Sequence, residues 1–221
     1  RSMEHALTLM DKPVGGLMKK LLVVFLWACA LSLGLSAVAG AAELDFDDLS
    51  GTLTPLPDGY AGYSWSNFTY LDATASQYAK SGYSAGVVSI NNVVYNSQAR
   101  DASIVADSPF TFSGAYFTAA WNNGLHIEIS GYRSGLLIGS DEIVVSAYAP
   151  MWYAPNWSGG VDRLAFHSYG GTGVAAYSGF GKHFAMDNLR VAPVPLPPAA
   201  LLLAPGLIGI AVIRRRRIGK R

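Results

Sequence analysis

The central part of this 221-residue chain predicts an all-β fold, an antiparallel β-sandwich of the jelly-roll kind. Three observations predict it. Apolar residues alternate with polar ones or form short runs, β-branched and aromatic residues dominate the runs, and Gly, Asn, Asp and Pro separate them. No stretch of residues 43–191 shows the apolar spacing of an amphipathic helix. Many short strands at this spacing are typical of antiparallel sandwiches and jelly rolls.

Six runs are predicted to be strands. In chain order they cover residues 86–96, 110–121, 125–132, 136–148, 161–168 and 183–191. The clearest alternation is LHIEI, which places Leu125, Ile127 and Ile129 on one face of its strand and His126 and Glu128 on the other. The GYRSG segment that follows predicts the loop of a hairpin.

The charge is distributed unevenly along the chain. The formal net charge is +1, yet residues 43–192 hold 6 Lys and Arg against 13 Asp and Glu. Nucleic-acid binding needs a basic face, so the acidic centre excludes a nucleic-acid partner. The basic residues at both ends lie beside apolar runs, which indicates membrane topology instead.

Residues 18–42 predict a secretory signal peptide. Two lysines precede an apolar stretch, and small residues follow it. Cleavage is expected in the region of Ala37, Ala39 and Ala41, where small residues alternate in the pattern of a cleavage site. An uncleaved membrane anchor is the alternative interpretation of the same stretch.

Residues 1–17 fit poorly in front of a signal peptide and are interpreted as an over-extended reading frame whose true start is Met18. The only cysteine, Cys29, lies in the apolar run. Cleavage would leave a protein with no thiol, which excludes disulfides, cysteine-based zinc sites and cysteine nucleophiles.

Residues 193–217 predict a membrane-spanning tail, and residues 218–221 a short basic end. From Pro195 to Ile213 the sequence has nineteen residues and no charge, about the minimum for a helix that crosses a bilayer. The arginines that follow favour the cytoplasmic side, so the main domain would lie outside.

The tail also carries a specific resemblance. A short proline motif (Val194, Pro195, Leu196 and Pro197), an apolar helix and an arginine cluster at the extreme C-terminus resemble the PEP-CTERM sorting signal. The cluster consists of Arg214, Arg215, Arg216 and Arg217. Leu196 stands where the name-giving motif of the family carries an acid.

The resemblance implies an exported protein of a Gram-negative, often biofilm-forming bacterium. An exosortase, an integral-membrane cysteine protease, would recognise and cleave the tail after transient anchoring in the inner membrane. The protein would then reach the cell surface or the medium. An ordinary stop-transfer anchor gives the same topology and differs only in whether the tail survives.

The β-domain opens with LDFDDL and ends with FAMDNL, each with an acid between apolar positions. This pattern is similar to bacterial jelly rolls of the galactose-binding and lectin-like kinds, and to domains common in exported PEP-CTERM proteins. The likeness implies that the first and last strands lie side by side. It also implies a binding or surface module rather than an enzyme.

Two segments, YAGYSWSNFTY and MWYAPNWSGG, concentrate aromatic residues among polar ones. Aromatic faces stack on sugar rings, so Trp65, Trp152, Tyr153 and Trp157 are candidates for a glycan-binding site. The alternative is that they are core residues or loop anchors.

Calcium is a candidate ligand for acids at the two ends of the domain. Asp45, Asp47 and Asp187 could supply the hard oxygen ligands that Ca²⁺ prefers, if the terminal strands pair. The alternative is that these acids are exposed or form turns.

A catalytic group is not predicted. Glu128, Asp141 and Glu142 could supply two carboxyls for glycoside hydrolysis, but the adjacent Asp141 and Glu142 point to opposite faces of a strand. Three histidines on different strands lack zinc-ligand spacing: His126, His167 and His183.

The sequence therefore predicts an exported surface or extracellular-matrix protein whose β-domain is a non-catalytic binding module, with extracellular polysaccharide as a candidate partner. Two alternatives stay open. One is a secreted hydrolase of extracellular polysaccharide, and the other is a purely structural matrix protein.

Overall fold

A computed structural model describes residues 40–194, and over that range the protein is all-β and antiparallel, as predicted. The predicted signal peptide and the predicted membrane-spanning stretch from Pro195 onward lie outside the described residues. No helix between residues 40 and 194 is long and apolar enough to cross a bilayer. Residues 40–194 lie in one compact unit.

Eleven strands are present in the described range: β1 (Ala42–Leu44), β2 (Thr54–Pro55), β3 (Ser64–Ser66), β4 (Phe68–Asp72), β5 (Asn92–Asn96), β6 (Ala102–Ala119), β7 (Asn122–Arg133), β8 (Leu136–Val145), β9 (Met151–Tyr153), β10 (Val161–Gly173) and β11 (Phe184–Pro193). The same range holds one short α-helix, α1 (Gly82–Ala85), and 3-10 turns at Tyr60–Gly62, Ser76–Tyr78 and Ser97–Ala99.

Strand β6 joins the two layers of the sandwich. The main strand order is β2-β4-β5-β11-β6-β10-β7-β8, with β3 and β9 on β6 and β1 on β11. Residues 103–105 of β6 pair with β3 and β10, whereas residues 110–119 pair with β11 and β9. The register with β10 shifts between these halves. Such a bulge lets the strand bend from one layer into the other. The first layer thus consists of β3, the start of β6, β10, β7 and β8. The second layer consists of β2, β4, β5, β11, the end of β6, β9 and β1.

Aromatic rings from both layers meet in the core. Phe166 of β10 lies in the first layer, and its ring centroid is 6.1 Å from Phe117 and 5.8 Å from Phe184 of the second layer. Phe68 of β4 approaches Phe166 edge-on at 5.7 Å. Contact between rings across the gap buries apolar surface on both sheets, which holds the layers together.

The predicted hairpin is confirmed. Leu125, Ile127 and Ile129 are fully buried, and β7 pairs with β8 across a two-residue turn. Ser134 and Gly135 occupy the turn with φ of 50° and 79°. Two positive φ values are what a type I′ turn requires, and its twist suits a hairpin.

The first and last strands lie side by side, as the resemblance to jelly rolls implied. Ala42 pairs with Val191 and Leu44 with Leu189. The Glu43 carboxylate accepts a hydrogen bond from Arg190 Nε at 2.5 Å across the same pair. Both ends of the described chain therefore emerge at one end of β11.

The strand predicted over residues 86–96 is only partly correct. β5 begins at Asn92, and α1 ends at Ala85. Backbone N–H groups between them donate to the carboxylates of Asp47 and Asp187 instead of to a neighbouring strand. Side-chain acceptors replace the sheet ladder here, so an apolar, β-branched run stays irregular.

Candidate functional site

The outward side of the first layer carries a groove. Along β7 and β10 every second residue points away from the core, because successive side chains of a strand alternate between faces. The strand register then sets these residues in rows that run across the strands.

The floor of the groove is a row of small residues. Ser66 pairs with Ser103, Ser103 with Ala165, Ala165 with Ser130, and Ser130 with Ser140. The Ser130 and Ser140 hydroxyls lie 2.7 Å apart, and both lie 3.3 Å from a Glu128 carboxylate oxygen. The row leaves a depression that presents hydroxyl groups.

One wall of the groove is built by Tyr132 and Arg163. The two residues are paired across β7 and β10, and the guanidinium carbon lies 4.8 Å from the centre of the tyrosine ring. This cation–π contact holds the Arg163 side chain along the ring. The wall therefore offers an aromatic surface together with guanidinium donors.

The opposite wall is built by acids and imidazoles. His167 pairs with Glu128, and Glu128 pairs with Glu142 on the next strand. His167 Nδ1 lies 2.6 Å from an Asp101 carboxylate oxygen, which orients its ring. About half of the His167 side chain and three quarters of the Asp101 side chain are exposed (53% and 77%), so both can contact a ligand.

A stack of rings extends this wall. His126 and Tyr169 lie with centroids 5.0 Å apart and planes inclined by 21°, and His167 lies 5.7 Å from Tyr169. Glu142 accepts hydrogen bonds from Tyr169 Oη and, at 3.0 Å, binds His126 Nδ1. The carboxylate fixes both rings from one side.

Along β6, β10 and β7 the floor and walls form an open groove of about 250 Å³. Its lining is Asp101, Ala102, Ser103, Glu128, Ser130, Tyr132, Arg163, Ala165, Phe166 and His167. Hydroxyl, carboxylate, imidazole and guanidinium groups line the groove beside the Tyr132 ring, and Phe166 is almost fully buried. That mixture matches a ligand with many hydroxyls on an otherwise apolar ring.

The Glu142 carboxylate of this wall is suited to accept hydrogen bonds. Hydrogen bonds from Tyr169 and His126 lower the pKa of Glu142 below its ordinary value. A glycosidase needs one carboxylic acid whose pKa is raised so that it can protonate the leaving group. Glu142 is shifted in the opposite direction, which favours binding over acid catalysis at this carboxyl.

Three of the predicted aromatic glycan residues anchor the fold. Trp65 packs edge-on against Phe68 at 5.4 Å, and its Nε1 donates to the Tyr60 carbonyl at 3.0 Å. Tyr153 is buried, and its hydroxyl donates to Asp141 at 2.7 Å. Trp157 is half-buried against the core.

Trp152 is the most exposed of the four at 36%. Its ring packs against the backbone of Gly114 and lies 4.8 Å from the Arg190 guanidinium carbon. It belongs to β9 in the second layer, away from the groove. The structure does not bring the four residues together, and glycan binding by this set stays a prediction.

The predicted calcium ligands accept backbone hydrogen bonds. Asp47 accepts from the N–H groups of residues 90–92 at 2.8–2.9 Å. Asp187 is fully buried and accepts from Val88 and Ser89, and Asp45 accepts from the Asp47 N–H. Across residues 40–194 no three His, Cys, Asp or Glu side chains are arranged to hold a metal ion. Calcium binding gains no support from the described residues.

Burial has the larger effect on Asp187. It raises the pKa of this carboxyl, against the opposing effect of the N–H groups of Ser89, Val88 and Asn188. The acid therefore joins the last strand to the loop before β5 in a largely dry environment.

The remaining predicted candidates divide between faces. Glu128 and Glu142 are cross-strand partners at the groove, whereas Asp141 lies on the other face, as the alternation predicted. The Asn156 N–H, together with Tyr153, lowers the pKa of Asp141. His126 and His167 lie at the groove, and His183 is partly buried beside Tyr95.

Sequence reasoning missed the other groove residues: Ser103, Ser130, Tyr132, Arg163 and Tyr169. Each occupies an outward position on an alternating strand, and that signal was present. Their convergence depends on strand order, which local alternation does not contain.

Comparisons with known proteins place the fold. No protein-family model matches this chain, and no curated protein matches it. A DUF4465 family protein from Bacteroides caccae is similar with a TM-score of 0.53 at 11% identity, covering 70% of this chain and 100% of the other. A DUF4465 family protein from Bacteroides ovatus follows with a TM-score of 0.42 at 10% identity, over 69% and 88% of the chains.

A third solved structure, TmCBM61 in complex with beta-1,4-galactotriose, is similar with a TM-score of 0.34 at 11% identity, over 66% of this chain and 100% of the other. The first of the three likenesses shows a shared fold. The other two are too distant to bear on this protein.

Proposed function

We propose that the β-domain is a non-catalytic carbohydrate-binding module and that the outward groove of its first layer is the binding site. The observation that carries the proposal is the groove itself. A hydroxyl-bearing floor runs between the Tyr132–Arg163 wall and the wall of His167, Glu128 and Glu142. Aromatic surface combined with fixed polar groups suits a sugar ring, which has apolar faces and a polar rim.

The proposal can be tested on a protein that comprises residues 40–194. Binding to a glycan array and to soluble polysaccharides in affinity gels should be measured for this protein and for Tyr132→Ala and His167→Ala. Each variant is expected to lose about tenfold in affinity, because each removes a ring from a groove wall.

Tyr148→Ala is the matched control. Tyr148 is an exposed tyrosine in the segment between β8 and β9, so its loss should leave binding unchanged. A wild-type protein that binds no glycan, or equal affinities for all four proteins, would overturn the proposal.

We also propose that the fold is a jelly roll and that the protein is exported, anchored in the inner membrane and sorted to the surface by an exosortase. Two features support this. The PEP-CTERM-like motif begins at Val194, directly after β11 ends at Pro193, so the folded strand stops where the signal starts. The neighbouring arginine cluster fits a cytoplasmic stop.

Intact mass of the exported protein tests the sorting proposal. The expected mass lacks Arg214 to Arg217, because the exosortase would cleave on the domain side of the apolar stretch. A surface form that retains the four arginines would contradict cleavage. Replacing the four arginines by serine should also disturb localisation.

A further inference from the structure

We infer that the groove takes a linear, non-acidic polysaccharide that lies across the strands, along the floor from Ser66 to Ser140. This inference rests on the proposed function and specifies its ligand. Three features carry it: the direction of the groove, the spacing of the strands and the sign of the charge.

The direction follows from the register. Both walls and the floor are rows of cross-strand partners, so all three run perpendicular to the strands. Along a single strand the outward residues differ sharply in height. On β7 the order is Glu128, Ser130 and Tyr132, so the floor is only one residue wide in that direction. A ligand chain laid along a strand would have to cross both walls.

The spacing fits an extended sugar chain. Neighbouring strands lie ~4.8 Å apart, so the floor from β3 to β8 covers about 19 Å over five strands. The spacing of ~4.8 Å between neighbouring strands is close to the length of one pyranose unit in an extended, equatorially linked chain. Each strand would then meet one sugar, with a hydroxyl or a methyl group beneath it.

Hydrogen bonds within the floor strengthen the argument at one end. Ser130 is 5% exposed, and its hydroxyl lies 2.7 Å from the Ser140 hydroxyl, with the Glu128 carboxylate 3.3 Å from each. Each hydroxyl has one hydrogen, so one serine donates to the other across the 2.7 Å contact and the second donates to the carboxylate. The same carboxylate retains lone pairs for the hydroxyls of a sugar.

The charge selects against acidic polymers. Three carboxylates face the groove or its margin, on Asp101, Glu128 and Glu142, against the single guanidinium of Arg163. Repulsion between a uronate or sulfate ester and these carboxylates would oppose binding. Neutral chains and chains of amino sugars carry no such penalty.

The experiment compares chain lengths and charges on one protein. Titration calorimetry of residues 40–194 with neutral β-linked oligosaccharides of two to eight units should show affinity that rises to about four or five units and then levels off. Polyuronates and sulfated polysaccharides should bind at least tenfold more weakly at low salt, and added salt should narrow the gap.

Two variants block the floor. Ala165→Trp and Ser103→Phe each fill the groove between the walls and should reduce binding of the longest oligosaccharide at least tenfold, with an unchanged melting temperature showing that the fold is intact. Thr111→Trp is the control, because Thr111 is an exposed residue of β6 in the second layer.

The outcomes separate the two proposals. Affinity that levels off at two units, equal binding of acidic and neutral polymers, or unimpaired binding by both folded floor variants would overturn this inference and leave the proposed function standing. Failure of the wild-type protein to bind any polysaccharide would overturn both.

Discussion

Single carboxylates organise the segment before β5. Asp47, at the start of the domain, accepts three backbone N–H groups of residues 90–92, and Asp187, near its end, accepts those of Val88 and Ser89. The backbone N–H groups of one loop thus donate to a carboxylate more than forty residues before it and to another nearly one hundred residues after it in the sequence. The two acids act as structural acceptors rather than as an exposed pair.

Replacing Asp47 by Ala should lower the free energy of unfolding by about 1–3 kcal/mol at neutral pH, because it leaves three N–H groups of the loop without their acceptor. Chemical unfolding in urea measures the change. Asp58→Ala is the control, since Asp58 is an exposed acid of a neighbouring turn. Equal stability of the two variants would contradict the role given to Asp47.

The difference in free energy of unfolding between wild type and Asp47→Ala should depend on pH. Burial opposes ionisation of Asp47, but the backbone N–H groups outweigh it and lower its pKa in the folded protein. A lowered pKa gives stabilisation that is complete above the unfolded value of about 4 and is lost as the pH falls through the folded value. The gap between wild type and Asp47→Ala should therefore be constant near neutrality and shrink below about pH 4. A gap that grows in acid would contradict the assignment.

Tyr169 is expected to control the ionisation of Glu142. Its hydroxyl donates the hydrogen bond with the largest effect on that carboxyl, so Tyr169→Phe should raise the pKa of Glu142 toward its ordinary value. Carbon-13 NMR titration of the side-chain carboxyl measures it. Tyr132→Phe, on the other wall, should leave the Glu142 titration unmoved, and a shift there of the same size would point to a general effect of the substitution.

The packing of the β7–β8 hairpin depends on two glycines, which have no side chain. Gly131 and Gly139 are paired partners, and the indole of Trp157 lies against both. A Cβ at Gly139 would lie 2.3 Å from Trp157 Cγ, far closer than a van der Waals contact. The tryptophan fills the space that two missing side chains leave.

Gly139→Ala should therefore destabilise the domain by about 1–3 kcal/mol, because the Trp157 ring must move out of its place. The tryptophan emission should shift to the red as the ring gains solvent. Gly173→Ala is the matched control. Its Cβ would meet nothing nearer than Asn122 Oδ1 at 3.9 Å, so it should change stability by less than about 0.5 kcal/mol. A Gly139→Ala protein as stable as this control would refute the packing argument.

At the scale of elements, the local sequence pattern correctly predicted strand faces and the hairpin turn, because interactions between nearby residues determine them. Alternation placed Leu125 and His126 on the correct faces, and GYRSG contained the hairpin turn. The local pattern failed where residues that are distant in the sequence determine the bounds of a strand. This strand was predicted to begin at residue 110, yet β6 begins at Ala102 and continues past a shift in its register with β10.

The candidate groove was harder to predict than the fold for the same reason. Density of aromatic residues pointed to Trp65 and Trp157, but large rings gain most from burial and both turned toward the core. The floor of the groove is a row of small residues from five strands. Only strand order brings Ser103, Ala165 and Ser130 together, and no single strand contains it.

The whole molecule is closed by the pairing of β1 with β11. A protein that begins at Asp45 loses the three pairs of β1 and the contact of Glu43 with Arg190. Its free energy of unfolding should fall by about 1–3 kcal/mol relative to one that begins at Ala42. Urea unfolding with both proteins measures this difference, and identical midpoints would show that β1 adds nothing to stability.

The position of β11 also determines how the molecule would carry a mechanical load. β11 pairs with β6 along one edge and with β5 and then β1 along the other. Tension applied at Val194 would pull β11 lengthwise, so the hydrogen bonds of both edges would share the force and break together. Tension between the two chain ends would instead open β1 from β11 one pair at a time. A domain held only by its C-terminal end while its groove grips a polymer would therefore be loaded in its stronger direction.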